Sequence, residues 1–187
     1  MPEKTADRRT LKTRKALVNA LSELLTVKEL HKITVQEICD KADVNRATLY
    51  RHYLDVYDLY DKIEKDTIVS FGLLMLELEE LPAEVFFRKI TDYISENRSI
   101  FAMAFCPNST GQLRSKLCEM ITGVFVQKQL EKADSKLTET DLNYMCTYRA
   151  QGCIAVIAEW VTKGFTEPAE TISGIISRLD QNTEKIL

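Results

Sequence analysis

Apolar residues recur every three or four positions along almost the whole chain, and this spacing most restricts the folds open to it. The pattern is typical of amphipathic helices, and no segment shows the sustained alternation, rich in β-branched residues, that marks a strand. The sequence therefore predicts an all-α fold of about nine helices. Their expected ranges are 7–26, 34–42, 45–52, 55–80, a segment starting at Pro82, 97–105, 112–132, 138–164 and 168–180.

Composition narrows the class of protein further. The chain has 187 residues, of which 45% are hydrophobic, so it can bury a core, and no run of about 18 apolar residues predicts a membrane span. The N-terminal segment is charged and lacks an apolar run, which predicts a cytoplasmic protein without a secretory signal. Five cysteines without CxxC spacing predict free, buried thiols. We expect no metal site and no cofactor.

Charge is distributed unevenly along the chain. Residues 1–55 have a balance of +3 and the remainder a balance of −6, and six basic residues crowd positions 4–15. A basic segment on an acidic protein is consistent with a local contact to a polyanion, although such segments are also commonly just solvated.

The segment 34–60 carries most of the functional information. Thr34 and Glu37 have the spacing of a capping box at the start of a short helix. A tight turn at Asp43 leads to a second short helix capped by Asn45, and Val44 and Leu49 provide its inward anchors. Two short helices joined in this way predict a helix-turn-helix.

Residues on the second of these helices have the chemistry of DNA recognition. Arg46 can read guanine, the Ala47 methyl can contact thymine, and Thr48 can bond a base or a phosphate. Tyr50, Arg51 and His52 follow, and their side chains can donate hydrogen bonds to phosphate oxygens. The free amides at the start of the preceding helix offer a further phosphate site. The candidate DNA-binding residues are Thr34, Val35, Asn45, Arg46, Ala47, Thr48, Tyr50, Arg51 and His52. Alternatively, these residues form the polar face of an ordinary surface helix, or belong to a helix-turn-helix that contacts another protein.

The stretch from Arg8 to Tyr60 resembles the DNA-binding head of the tetracycline-repressor (TetR) family, above all in its string Thr48-Leu49-Tyr50-Arg51-His52-Tyr53. The resemblance implies that Thr34, Thr48, Tyr50 and His52 hold phosphates, while Arg46, Ala47 and Arg51 face the groove. It also implies a dimeric bacterial regulator.

Two positions depart from the family pattern. Asp43 replaces the usual turn glycine, and Asp tolerates the left-handed conformation better than most residues. Val56 replaces the usual lysine, so we expect a phosphate contact to be lost and DNA to be held less tightly by the long helix. On this basis, residues 1–54 are predicted as the helix-turn-helix domain and residues 55–187 as a regulatory and dimerisation domain.

The C-terminal part resembles, more distantly, a subset related to regulators of dihydroxyacetone metabolism, through residues 93–98 and 152–165. Two stripes at helical spacing predict the dimer interface, although they could also pack within one subunit. They comprise Gly152, Ala155, Ala158, Ile172, Ile175, Ile176 and Leu179. Large apolar residues could line an effector pocket or simply form core. They are Phe71, Met75, Phe101, Met103, Phe105, Phe125, Tyr144 and Tyr148.

The sequence thus predicts a DNA-binding transcriptional regulator, a homodimeric repressor released from its double-stranded operator by an unidentified small molecule. Catalysis is not expected, because the chain has two histidines and no P-loop, GxGxxG, HExxH or nucleophile-elbow motif. The alternative is a family-like coactivator that acts through protein–protein contact.

Overall fold

The computed structural model describes residues 3–131 and 137–185, with side chains described for residues 10–131 and 137–183. Within these ranges the chain forms nine α-helices and a single 3-10 turn at Leu30–Lys32, and no strand. The all-α prediction is confirmed. The helices are α1 Glu3–Leu25, α2 Val35–Ala42, α3 Arg46–Tyr50, α4 Val56–Leu78, α5 Ala83–Glu96, α6 Arg98–Phe105, α7 Gln112–Leu130, α8 Glu139–Thr162 and α9 Ala169–Lys185.

Helix α3 is shorter than the sequence predicts, because the backbone tightens after Tyr50. The amides of His52 and Tyr53 both donate to the carbonyl of Leu49, each at 2.9 Å. This turn buries the Tyr53 side chain and leaves His52 exposed. Helix α3 is therefore followed by a non-helical turn at residues 51–53.

The described chain forms two compact units. The first comprises the residues through Thr67 together with Ser99–Thr110, and the second comprises Ile68–Arg98 and the residues from Gly111 onward. The division after residue 54, drawn above for functional domains, stays a prediction.

The first unit has a continuous apolar core, and residues 99–110 are tied to it by polar contacts. Leu49 of α3 is fully buried in this core. The Ser99 hydroxyl lies 2.6 Å from the Asn19 amide oxygen, and the Asn108 amide donates to the Leu25 carbonyl at 2.8 Å. Burial raises the pKa of Tyr60 to about 12, so its hydroxyl stays protonated and lies 3.3 Å from the Thr110 hydroxyl.

The second unit is held together by α5 against α9 and by α7 against α8. An ion pair is buried between α8 and α9. The Arg149 guanidinium donates to both carboxylate oxygens of Asp180, at 2.7 and 2.9 Å, and both side chains are less than one tenth exposed. Burial, followed by the negative charge of Asp180, raises the pKa of Cys153, which stays a thiol. All five cysteines are free.

The second half of α4 differs from its prediction. Its nearly continuous apolar sequence predicts burial on all sides, as in a helix inside a bundle. Phe71 and Met75 are buried, but Val69, Leu73 and Leu76 are each more than half exposed. The prediction is therefore wrong for one face of this helix, which presents an apolar stripe at its surface.

Candidate nucleic-acid interface

Helices α2 and α3 are joined by the tight turn at Asp43 that the sequence predicts. Helix α2 begins at a complete capping box, in which the Thr34 hydroxyl accepts from the Glu37 amide and the Glu37 carboxylate accepts from the Thr34 amide. The helix ends at Asp43, whose φ of 53° and ψ of 46° are left-handed. An aspartate therefore occupies the conformation that glycine most readily adopts. The chain turns sharply there and reaches α3 within two residues.

Helix α3 is oriented by one cap and one anchor. The Asn45 side-chain oxygen accepts a hydrogen bond from the Ala47 amide at 2.8 Å, which satisfies one of the free amides at the helix start. On the opposite side, Leu49 is completely buried. A five-residue helix has little stability of its own, so this burial fixes which residues face outward.

The structure places every predicted DNA-contact residue at the surface of the first unit. The exposed members are Thr34, Asn45, Arg46, Ala47, Tyr50, Arg51 and His52, while Val35 and Thr48 are partly buried. They come from the start of α2, from α3 and from the turn after it. The basic side chains predicted at residues 4–9 lie outside the side chains that the structure describes.

The sequence analysis did not identify Lys62, which contacts the turn that follows α3. Its ammonium donates to the His52 carbonyl at 3.1 Å and to the Asp58 carboxylate at 2.9 Å, and it lies 5.5 Å from the centre of the Tyr53 ring. The i, i+4 spacing of Asp58 and Lys62 signals their ion pair. The hydrogen bond from Lys62 to the His52 carbonyl could not be predicted from the sequence, because it depends on the turn after α3.

Val56 does not occupy the surface position that the family pattern implies. Its side chain is 5% exposed and belongs to the core of the first unit. The expected loss of a phosphate contact at this position stays a prediction. The valine is retained by packing, and a lysine would have to leave that core to reach a phosphate.

The lowered pKa of Glu37 makes part of the folding stability depend on pH. The hydrogen bond from Lys28 and those from Thr34 lower the pKa of Glu37 from 4.5 to about 2. A carboxyl whose pKa falls on folding stabilises the native state above its unfolded pKa, and this contribution is lost as the pH falls through the folded value. We expect the stability contributed by Glu37 to be full above pH 4.5 and to disappear toward pH 2. Its carboxyl chemical shift, followed by NMR, measures the folded pKa directly.

Glu37→Gln is the matched control for this prediction, because glutamine can preserve the cap without titrating. The variant should lose this part of the acid dependence of stability. A Glu37 midpoint near 4.5 would contradict the prediction.

The predicted effector-pocket residues do not all lie inside the protein. Six are buried: Phe71, Met75, Phe101, Met103, Phe105 and Phe125. Tyr144 and Tyr148 are 76% and 70% exposed, and Tyr148 lines the surface groove between α8 and α9, so their place in an effector pocket stays a prediction. Both lie on α8 and point to solvent within the described chain, which the helical spacing alone could not reveal.

The predicted dimer residues divide into a surface set and an internal set. Gly152, Ala155 and Leu179 are exposed, and Ala158 and Ile175 are partly buried. Ile172 and Ile176 are 5% and 1% exposed. The latter two therefore need correcting, because they pack within the subunit and cannot form its outer face. Gly152, Ala155 and Leu179 line a surface groove of about 370 Å³ between α8 and α9.

The residues that the structure describes contain no group of three His, Cys, Asp or Glu residues arranged to hold a metal ion. No described helix is long and apolar enough to cross a membrane.

Comparison with known proteins identifies the family. Residues 83–182, just over half of the chain, match a TetR-type family model described as "Transcriptional regulator C-terminal region". The chain belongs to the TetR family of transcriptional regulators. It is also 40% identical over 162 residues to the uncharacterized HTH-type transcriptional regulator YxbF of Bacillus subtilis (strain 168). That match covers 82% of this chain but only 41% of the length of YxbF.

Two solved structures of transcription regulators share the fold. The dihydroxyacetone kinase operon activator DhaS matches with a TM-score of 0.63 and 18% identity, over 94% of this chain and 97% of that one. FadR from Bacillus subtilis, solved in complex with stearoyl-CoA, matches with a TM-score of 0.65 and 16% identity, over 91% and 96%. At these identities the likeness concerns the fold alone.

Proposed function

We propose that this TetR-family protein regulates transcription by binding DNA directly through α3. The observation that carries the proposal is the left-handed turn at Asp43 followed by a capped short helix with an exposed polar face. In a helix-turn-helix the second helix enters the major groove and its first residues meet the base edges. Arg46, Ala47 and Thr48 occupy those positions.

Each exposed group has a role in this proposal. Arg46 reads guanine through its planar fork, and the Ala47 methyl contacts thymine. Tyr50, His52 and Thr34 bond phosphates and set the register of the helix on the duplex. Arg51 faces the groove. The amide of Val35, in the first turn of α2, adds a backbone donor for a phosphate.

In this proposal the DNA-binding unit is a homodimer of the chain. A helix-turn-helix dimer binds two half-sites about 34 Å apart, and a two-fold dimer uses the same patch on both subunits. The exposed small residues Gly152 and Ala155 allow close approach of α8 to its partner, and Leu179 adds apolar area. We assign the homodimer interface to this α8–α9 surface.

The regulatory part of the proposal is a repressor released by a small molecule. A ligand shifts DNA binding only if it binds one conformation of the dimer more tightly than the other. In this assignment the helix-turn-helix domain of residues 1–54 reads DNA, the remainder senses the effector and dimerises, and the chain has no catalytic role.

Arg46→Ala tests base recognition. We expect it to reduce the preference for the selected operator by about 1–3 kcal/mol, because a bidentate contact to guanine discriminates by that amount. Tyr50→Phe should instead weaken binding to all sequences evenly, since it removes only a phosphate contact. Fluorescence anisotropy on operators selected from a genomic fragment library measures both effects at fixed salt.

Lys116→Ala is the matched control, because it removes an exposed cation from α7 in the second unit. Its DNA affinity should equal that of the wild type. An unchanged sequence preference in Arg46→Ala would contradict base reading by α3. No binding to any fragment at low salt would instead favour the coactivator that acts through protein contact.

A further inference from the structure

The turn that follows α3 is bound at both of its ends by side chains of α4. The Lys62 ammonium donates to the His52 carbonyl at 3.1 Å. Two residues further along the turn, the Leu54 amide donates to the Asp58 carboxylate at 2.9 Å. Between these two points the Tyr53 ring lies with its centre 5.5 Å from the Lys62 ammonium. One helix therefore fixes the first and the last residue of this three-residue segment.

The two α4 side chains also bind each other. Asp58 and Lys62 are four positions apart on α4, and their carboxylate and ammonium lie 2.9 Å apart. The hydrogen bond from the Leu54 amide, followed by the one from Lys62, lowers the pKa of Asp58, so the carboxylate stays ionised at neutral pH. Each of the two side chains therefore contacts the turn and the other side chain at the same time.

These contacts add to the few that α3 itself gives the turn. The amides of His52 and Tyr53 both donate to one acceptor, the Leu49 carbonyl. The last carbonyls of a helix have no partner inside the helix, and a lysine side chain can satisfy them. Lys62 does so for the residue whose exposed imidazole lies at the candidate interface.

We propose that Asp58 and Lys62 are positioning residues, which hold the turn after α3 so that the His52 side chain meets a DNA phosphate. This role rests on the proposed function, in which His52 bonds a phosphate. Because the charges of the pair offset each other, Lys62 brings no surplus positive charge to the DNA. Its contribution is the geometry of the turn, and its ammonium does not contact a phosphate.

Amide hydrogen exchange followed by NMR tests the support of the turn without DNA. Lys62→Met removes the ammonium but keeps an apolar stem beside the Tyr53 ring. We expect the amides of residues 52–54 to exchange at least about threefold faster in this variant, because the turn opens more often. Exchange as slow as in the wild type would overturn the proposal.

Lys65→Met is the matched control, because Lys65 is an exposed cation less than one turn further along the same helix. Within the described residues, no hydrogen bond joins Lys65 to the turn. Its removal should leave the exchange of residues 52–54 unchanged. Circular dichroism should show both variants folded, since both side chains are largely at the surface.

Fluorescence anisotropy on the operator tests the role in DNA binding. We expect Lys62→Met to weaken the affinity by about fivefold, as the loss of one hydrogen bond from a charged group does. Lys65→Met should weaken it by no more than about twofold, because it changes only a screened charge. Equal weakening in the two variants would overturn the positioning role.

The salt dependence of the affinity separates positioning from direct contact. A lysine that binds a phosphate contributes about 0.9 to the slope of log affinity against log salt concentration. The slopes of Lys62→Met and Lys65→Met should be equal, and a shallower slope in Lys62→Met alone would show that Lys62 itself binds a phosphate. If the wild type binds no DNA at low salt, the proposed function fails and the role in DNA binding fails with it. The exchange rates then still decide whether the pair holds the turn.

Discussion

Replacing Asp180 with alanine is expected to lower the free energy of unfolding by about 3–5 kcal/mol, because a buried charge then loses its partner. Asp180 is 4% exposed, and both its oxygens accept from Arg149. The guanidinium cannot regain that pairing from solvent without disturbing the contact between α8 and α9. Urea denaturation followed by circular dichroism measures the loss, at a fixed protein concentration because dimers are stabilised by mass action.

The double variant Arg149→Met with Asp180→Leu separates charge from packing. Apolar residues that replace both members of a buried pair are often neutral or stabilising. The double variant should therefore recover most of the stability that Asp180→Ala loses. If the single variant is as stable as the wild type, the ion pair does not hold α9 as described.

Val56→Lys is expected to destabilise the first unit by about 2–4 kcal/mol and to bring no gain in DNA affinity, because the ammonium enters a core at a helix start. The family pattern alone suggests the opposite result, a restored phosphate contact. Val56 is 5% exposed, and the first turn of α4 carries the positive end of the helix dipole. Thermal unfolding and the salt dependence of operator binding measure the two effects.

Tyr57→Lys is the matched control, since it places the same charge one residue along on an exposed side chain. Its stability should stay within about 0.5 kcal/mol of the wild type, as is usual for surface changes. Tighter DNA binding by Val56→Lys, without loss of stability, would show that the position faces the DNA backbone.

Much of the fold could be predicted because its signals are local. The capping box at Thr34 and the cap at Asn45 depend on neighbouring residues, and the helices lie close to their predicted ranges. The exposed face of α4 could not be predicted in this way. Leu73 and Phe71 are equally apolar, and only the placement of other helices decides which of them is covered.

The candidate interface was predictable for the same reason, because one short helix with one buried leucine fixes its own outward face. Contacts between distant residues were not. Arg149 and Asp180 are 31 positions apart, and both follow helical spacing that is equally typical of a solvated surface. The same limit applies to two adjacent isoleucines of α9. Ile176 is buried inside the subunit and Ile175 is partly exposed, and the sequence alone does not distinguish them.

The indole of Trp160 gives the chain its own optical reporter. It is the one tryptophan of the sequence, it is 1% exposed, and its Nε1 donates to the Glu167 carbonyl at 2.8 Å. Its emission therefore follows solvent entry into the second unit, while the first unit contributes only tyrosine. Emission excited selectively in the indole can be set against backbone ellipticity to determine whether the two units melt together or in sequence.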